Sequence, residues 1–383
     1  MARFPIAEFK DLATPFYFYD LTLLDRTIAE IKRTSRDERF KVHYAIKANA
    51  NPGILRRIQA AGLGVDAVSG GEIRAALEAG FHGDQIVYAG VGKTDAEIML
   101  ALDNGIGCFN VESEPELEII DEISGSMGTK ANIALRVNPN IDAHTHEYIT
   151  TGLAENKFGI NLEQLQSLIE KAQKLENINL AGLHFHIGSQ ITETEPFVML
   201  CETINRIQDE WEEKGIRFKS INVGGGLGVD YADPDRHPIP DFEGYFKVFR
   251  NHLHLRSDQE LHFELGRSVV AQCGSLITRV LYVKEGTTKR FAVVDAGMTD
   301  LIRPALYNAH HRIENISSPN DVKHHYDVVG PICESSDCFG KDEVLPAIRR
   351  GDFIALRSAG AYGEIMASQY NCRPLPSSYF FEK

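Results

Sequence analysis

The sequence predicts a two-domain α/β protein. A (β/α)8, TIM-like barrel is expected over 21–267, and an all-β domain, a sandwich or small barrel, over 268–383 together with the N-terminal strand in 1–20. Three observations carry this expectation. Between 42 and 265, eight short apolar segments alternate with amphipathic ones, the rhythm of strands separated by helices. From about 268 the helical spacers stop, and Val-, Ile- and Tyr-rich segments follow one another across turns. A strand-like stretch at 14–19 precedes the alternation, so both chain ends build one domain. Open doubly wound sheets alternate in the same way; a count of eight strands favours closure.

Taken in order, Thr14–Tyr19 reads as a strand with Pro15 confined to its start. Residues 21–34 read as a helix, with Leu24, Ile28 and Ile31 at helical spacing. The barrel strands are expected at 42–47, 63–68, 86–91, 106–111, 132–137, 181–187, 219–224 and 261–265. The helices between them are expected at 52–61, 70–80, 94–104, 113–125, 162–175, 195–214 and 241–252. Pro52 and Pro115 sit in first turns, and Ser69 suits an N-cap because its hydroxyl can accept an unpaired N–H of the first turn. In the all-β part, strands are expected in 268–283, 290–296, 325–329 and 353–357, with Glu285-Gly286 and Arg350-Gly351-Asp352 as turns.

Composition excludes several classes. The 383 residues are 43% hydrophobic and 25% charged, ordinary for a globular protein. Forty basic and 54 acidic residues leave a net charge of −14, which disfavours nucleic acid and anionic membranes as partners. No apolar run is long enough to span a bilayer, and a start carrying Arg3, Glu8, Lys10 and Asp11 is not a signal peptide. The cysteines at 108, 201, 273, 333, 338 and 372 form no CxxC, so neither a disulfide framework nor a zinc cluster is indicated; a reducing cytoplasm is expected.

Chemistry in such a barrel collects where strands end and βα-loops begin. The first strand runs Val-His-Tyr-Ala-Ile into Lys47, either a surface lysine with its stem on apolar surface or an amine made nucleophilic by a lowered pKa. Asp66, Ser69 and Gly70-Gly71-Glu72 follow at the second. His184 and His186 alternate with Leu183, Phe185 and Ile187, which puts both on one side of the strand. They suit hydrogen-bonded core histidines, a metal pair joined by His144 and His146, or an imidazole stacked on a flat ring. Gly224–Gly228 is either a tight turn or a cradle in which backbone N–H groups approach a phosphate. Glu264, in an apolar strand, needs a cationic partner, either Arg267 or a protonated ring nitrogen. A lysine, a phosphate cradle, a stacking imidazole and a buried carboxylate together match what pyridoxal 5'-phosphate requires.

These residues stand in the motifs HYAIKANAN (43–51), VSGGE (68–72), HFHIGSQ (184–190), GGGLG (224–228), ELGR (264–267), RPALYNAHH (303–311), CESSD (333–337) and AGAYG (359–363). In that order they cover nearly the whole chain. By them the chain resembles the fold-type III pyridoxal-phosphate decarboxylases, which act on ornithine, lysine, arginine and diaminopimelate, and within these the diaminopimelate branch.

The resemblance implies that Lys47 is the Schiff-base lysine and that His186 stacks on the cofactor ring. It implies that Gly225, Gly226 and Glu264 to Arg267, Gly266 included, bind the cofactor, and that Tyr362 touches cofactor and substrate. Arg267, Arg303, Tyr307 and Glu334 are implied to hold the substrate, and Cys333 to protonate the substrate Cα after carbon dioxide leaves. It further implies decarboxylation of meso-2,6-diaminopimelate to L-lysine, and a homodimer with shared active sites in which the cysteine loop enters the partner's site. The residues suit these roles. Arg303 can grip a distal carboxylate bidentately, Glu334 can meet an ammonium, and Cys333 lies in a turn-rich loop, although a cysteine alone also reads as a buried free thiol.

Two departures stand out. Leu265 replaces the proline frequent in Glu-x-Gly-Arg, and CESSD replaces the common CESGD. The chain is also somewhat compact for the family. Three other readings remain at this level: a decarboxylase for a related amino acid or siderophore precursor, a non-catalytic relative of the same fold, and a barrel metallohydrolase.

Overall fold

The computed structural model describes residues 4–141, 157–318 and 322–382; His144 and His146 lie outside the described residues. The chain forms two compact units. One comprises Ile28–Gly228 and Asp241–Gly266, the other Met1–Thr27, Val229–Pro240 and Arg267–Lys383.

The first unit is a closed parallel barrel. Its strands are Phe40–Ala45, Gly64–Ala67, Ile86–Tyr88, Cys108–Val111, Ala131–Asn138, Ile178–Phe185, Ser220–Asn222 and Glu260–Leu265, and the last pairs with the first. A two-residue strand, Ile160–Asn161, adds to the edge of Ala131–Asn138. Several of the helices between strands start on side-chain caps. Asn51 Oδ1 accepts the Gly53 N–H at 2.9 Å ahead of Pro52, and Ser69 Oγ accepts the Glu72 N–H at 3.2 Å. Thr94 and Glu97 cap each other reciprocally. Aromatic rings fill the space between Glu260–Leu265 and the helix Phe242–His252. Phe263 lies 4.9 Å from Phe246, 5.2 Å from Phe249 and 5.9 Å from Tyr245, ring centre to ring centre. Truncating such a ring to alanine costs about 3–5 kcal/mol.

The second unit is an eight-stranded mixed sheet. Phe16–Asp20 lies between Gly274–Glu285, antiparallel, and Ser377–Phe381, parallel, so the two chain ends close one sheet. Phe9, Phe16, Phe18, Ile277 and Phe353 form its apolar centre.

Several expectations change in detail. The first barrel strand ends at Ala45, and Lys47 sits on a single 3-10 turn, Ile46–Ala48, which lifts the amine off the strand. The segment from 268 does not begin as a strand. Arg267–Val270 is a helical turn buried throughout, and strand starts at Gly274; burial on every side overrides the β preference of the valines. Cys338–Pro346 and Ser377–Phe381 are strands the sequence does not announce, the first because a run of charged residues, Lys341, Asp342 and Glu343, interrupts its apolar positions. Among the described residues no helix is long and apolar enough to cross a membrane.

Candidate active site

The barrel unit gathers Lys47, His186, Gly225, Gly226 and Glu264 at the C-terminal ends of its strands. Glu264 is 7% exposed. Its Oε1 accepts from Asn110 Nδ2 at 3.0 Å and Asn222 Nδ2 at 2.8 Å, and its Oε2 lies 3.1 Å from His184 Nε2. Burial alone would raise this carboxyl. His184, Lys47 and His186 outweigh it and hold Glu264 well below the usual carboxylate range. Asp66 behaves in the opposite way. It is fully buried, and burial with the neighbouring Glu264 charge pushes it up to about 7, although the Lys47 ammonium, hydrogen-bonded to its Oδ2, pulls it down. One buried carboxylate is therefore held charged, and the other is pushed towards its protonated form.

His186 stands one residue beyond its strand. Burial first, then the charges of Arg136 and Lys47, lowers it to about 3, so the imidazole is neutral, and its Nδ1 accepts the Gly225 N–H at 3.3 Å. The glycine run is required by this approach. A Cβ on Gly225 would lie 2.1 Å from the Glu264 carbonyl oxygen, and Gly224 has φ +67° with its Cβ position 2.6 Å from His186 Nδ1. Gly266 follows directly on the Glu264 strand. Beside this set, Arg136 Nη1 meets Glu112 Oε1 at 2.7 Å, both buried, and Glu112 Oε2 accepts the Gly159 N–H at 2.9 Å.

The β unit carries the other expected residues. Arg267 opens the helical turn Arg267–Val270, and Arg303 and Tyr307 lie at the ends of the short helix Arg303–Tyr307. The Arg267 guanidinium lies 4.9 Å from the centre of the Tyr362 ring, whose backbone takes φ +56°. Burial lowers Arg267, but Tyr231, Tyr362 and Tyr307 outweigh it and raise it. Arg303 is lowered by burial, with the Arg267 charge acting the same way. Cys333 and Glu334 are exposed on a loop pinned by Asp337, whose carboxylate accepts the N–H groups of Ile332 and Met298, each at 2.6 Å. Glu334 Oε1 accepts from the Tyr370 hydroxyl at 2.8 Å.

Reading the sequence missed Asn110, Asn222, Tyr231, Arg136 and Glu112. Asn110 left a signal, being the polar residue in the short apolar strand Cys108–Val111, whereas Asn222 follows Ser220 in its strand and stands out less. Tyr231 left none, because it lies in the 229–240 segment that interrupts the barrel pattern. No cluster of three metal-binding side chains occurs among the described residues, and His144 and His146, the partners a metal pair with His184 and His186 called for, lie outside them.

The donor set fits pyridoxal phosphate. It combines an amine held by an acid, a neutral imidazole on a glycine backbone too close for any side chain, and a buried carboxylate held charged. Comparison with known proteins agrees. Residues 23–271 match the pyridoxal binding domain of pyridoxal-dependent decarboxylases. The diaminopimelate decarboxylase of Bacteroides thetaiotaomicron is 58% identical over 98% of this chain and 97% of its own length. That of Aquifex aeolicus is 40% identical over 96% of this chain and 87% of its own. The crystal structure of Helicobacter pylori diaminopimelate decarboxylase complexed with L-lysine superposes with a TM-score of 0.92, at 42% identity, covering 99% of this chain and 93% of the other. The chain belongs to the pyridoxal-dependent decarboxylases, in the diaminopimelate decarboxylase family. The resemblance read from the motifs and the barrel-plus-β architecture are both borne out.

Proposed function

We propose that the protein decarboxylates meso-2,6-diaminopimelate to L-lysine and carbon dioxide, using pyridoxal 5'-phosphate, as a cytoplasmic homodimer with shared active sites. Lys47 would hold the cofactor's aldehyde carbon, Gly225, Gly226 and Gly266 its phosphate end, His186 its ring face and Glu264 its ring nitrogen. Bound there, the cofactor supplies an electron sink for the substrate Cα.

This chain's residues do the rest. Asp66 Oδ2 accepts from Lys47 Nζ and so holds the amine in place at the barrel mouth. Glu264 stays ionised, and its charge would favour a protonated ring nitrogen on the bound cofactor. His186, being neutral, would pack against the ring without adding charge. Arg267 and Tyr362 serve both cofactor and substrate. Arg303 and Tyr307 take the distal carboxylate, and Glu334 the distal ammonium. Cys333 Sγ delivers the proton that replaces the departed carboxylate.

The observation that carries the reading is the buried, charged Glu264 beside the Lys47–Asp66 pair, in a chain that is 58% identical to a diaminopimelate decarboxylase over nearly its whole length. The test is product analysis with a substrate panel. Purified protein with pyridoxal phosphate should release lysine from diaminopimelate and not decarboxylate ornithine, arginine or lysine at a comparable rate. No lysine from diaminopimelate defeats the substrate assignment. Lys47→Ala should also lose the yellow colour of the loaded protein; a variant that stays yellow defeats the assignment of Lys47.

A further inference from the structure

The β unit holds a buried guanidinium that no carboxylate neutralises among the described residues. Arg303 is 6% exposed, and its partners are neutral. Its Nη1 donates to the Tyr231 hydroxyl at 3.0 Å and to His311 Nε2 at 2.9 Å. Those two bonds use both hydrogens of Nη1. The Nε–Nη2 edge, the fork that grips a carboxylate through two parallel hydrogen bonds, has no partner among the described residues.

Both anchors are themselves fixed. His311 is fully buried, and its Nδ1–H donates to the Arg357 carbonyl at 2.9 Å, which leaves Nε2 as the acceptor. Its burial and the Arg303 charge beside it keep the ring neutral. Tyr231 packs edge-on against His311, ring centres 5.2 Å apart, under the Arg303 guanidinium at 5.0 Å. The segment carrying it is tied down by Arg312 to Asp233 at 3.0 Å and Arg357 to Asp235 at 3.1 Å. The same Tyr231 oxygen also accepts from Arg267 Nη1 at 2.7 Å. One phenol oxygen thus holds two cations together. The Arg303 charge, buried with only neutral partners among the described residues, is preorganised for an anion.

We propose that Tyr231 and His311 are positioning residues that occupy Nη1 of Arg303 and so present its Nε–Nη2 edge, next to Arg267, to the distal carboxylate of the substrate. The inference rests on the proposed function. It goes beyond it by assigning two residues and one edge of one guanidinium.

The test uses the full-length enzyme loaded with pyridoxal phosphate. Binding of L-lysine, which keeps the distal carboxylate, is measured by calorimetry beside 1,5-diaminopentane, the same chain without a carboxylate. Tyr231→Phe and His311→Leu should each weaken lysine binding and raise KM for diaminopimelate about tenfold, the loss of one hydrogen bond to a charged group. For His311→Leu, the affinity for 1,5-diaminopentane, the cofactor colour and kcat should stay within about threefold. His311→Gln, which restores an acceptor, should recover most of the loss. Equal losses for lysine and 1,5-diaminopentane, or a His311→Gln variant no better than His311→Leu, would mean a merely structural role and overturn the inference while leaving the function intact. A wild-type enzyme that makes no lysine from diaminopimelate overturns the function and this inference with it.

Discussion

The mouth of the barrel and the arginine pair of the β unit solve opposite electrostatic problems. At the barrel mouth every charge is answered: Lys47 by Asp66, Glu264 by two asparagines and a histidine, Arg136 by Glu112. In the β unit Arg303 is buried against a phenol and a neutral imidazole. A balanced network holds its geometry whether or not a ligand is present, which suits a cofactor that stays. An unbalanced cation favours an anion that comes and goes, which suits a substrate. Under the proposed function, the difference places the reaction step in one region and the choice of amino acid in the other.

The largest expected effect lies at the barrel mouth. Glu264→Gln keeps the shape and the asparagine contacts but removes the charge, and kcat should fall about 100-fold or more, the scale of losing one preorganised electrostatic partner. KM should change little. Steady-state kinetics with saturating cofactor measure this; a variant that loses KM rather than kcat breaks the division of labour. Arg303→Lys should do the converse. A lysine carries the charge but not the fork, so KM should rise about tenfold or more while kcat stays within about threefold.

Acid should affect both regions through their buried histidines. His186 and His311 are each held at about 3, and so is His43, whose burial and neighbouring His262 depress it, whereas an unfolded histidine titrates near 6.5. The unfolded chain binds more protons between these values, so stability is present above about 6.5 and is lost as pH falls towards 3. Asp66 has the opposite sign. Its stabilising contribution is fully present below its unfolded value of about 4 and is lost as pH rises through about 7. His43→Gln, outside both regions, should flatten the acid side of a Tm-against-pH curve without altering KM or kcat at neutral pH; an unchanged slope would refute the assignment. The smallest effect is Ser69→Ala, which removes the helix cap and should cost about 1 kcal/mol. In calorimetry Tm should drop by a few degrees with kinetics unchanged, which marks it as belonging to neither region.

Much of the fold and of the barrel mouth is legible in the order of residues alone. The alternation of strands and helices identifies the barrel because parallel strands buried on both faces must be apolar and the helices covering them amphipathic. Helix 21–34 is legible to the residue, as Leu24, Ile28 and Ile31 fix its buried face. Lys47, His186, Glu264 and the glycine run are visible because reactive side chains at strand ends are conspicuous against apolar strands.

Long-range pairing is not visible in this way. That Glu264 is held charged while Asp66, also fully buried, is pushed up depends on which neighbours each meets across the barrel. The helical turn at Arg267–Val270 and the strands Cys338–Pro346 and Ser377–Phe381 escape because burial and edge pairing, not local preference, decide them. Tyr231 is the clearest case. Its neighbours in the chain say nothing of two arginines 36 and 72 residues away.

The sequence by itself determined the fold class and, through its motifs, pointed to the family and its cofactor, since periodicity and side-chain identity are local properties. Only the tertiary structure decided which carboxylate is charged, which histidine is neutral and which edge of Arg303 is left for a ligand. Those properties depend on burial and on distances between residues far apart in the chain.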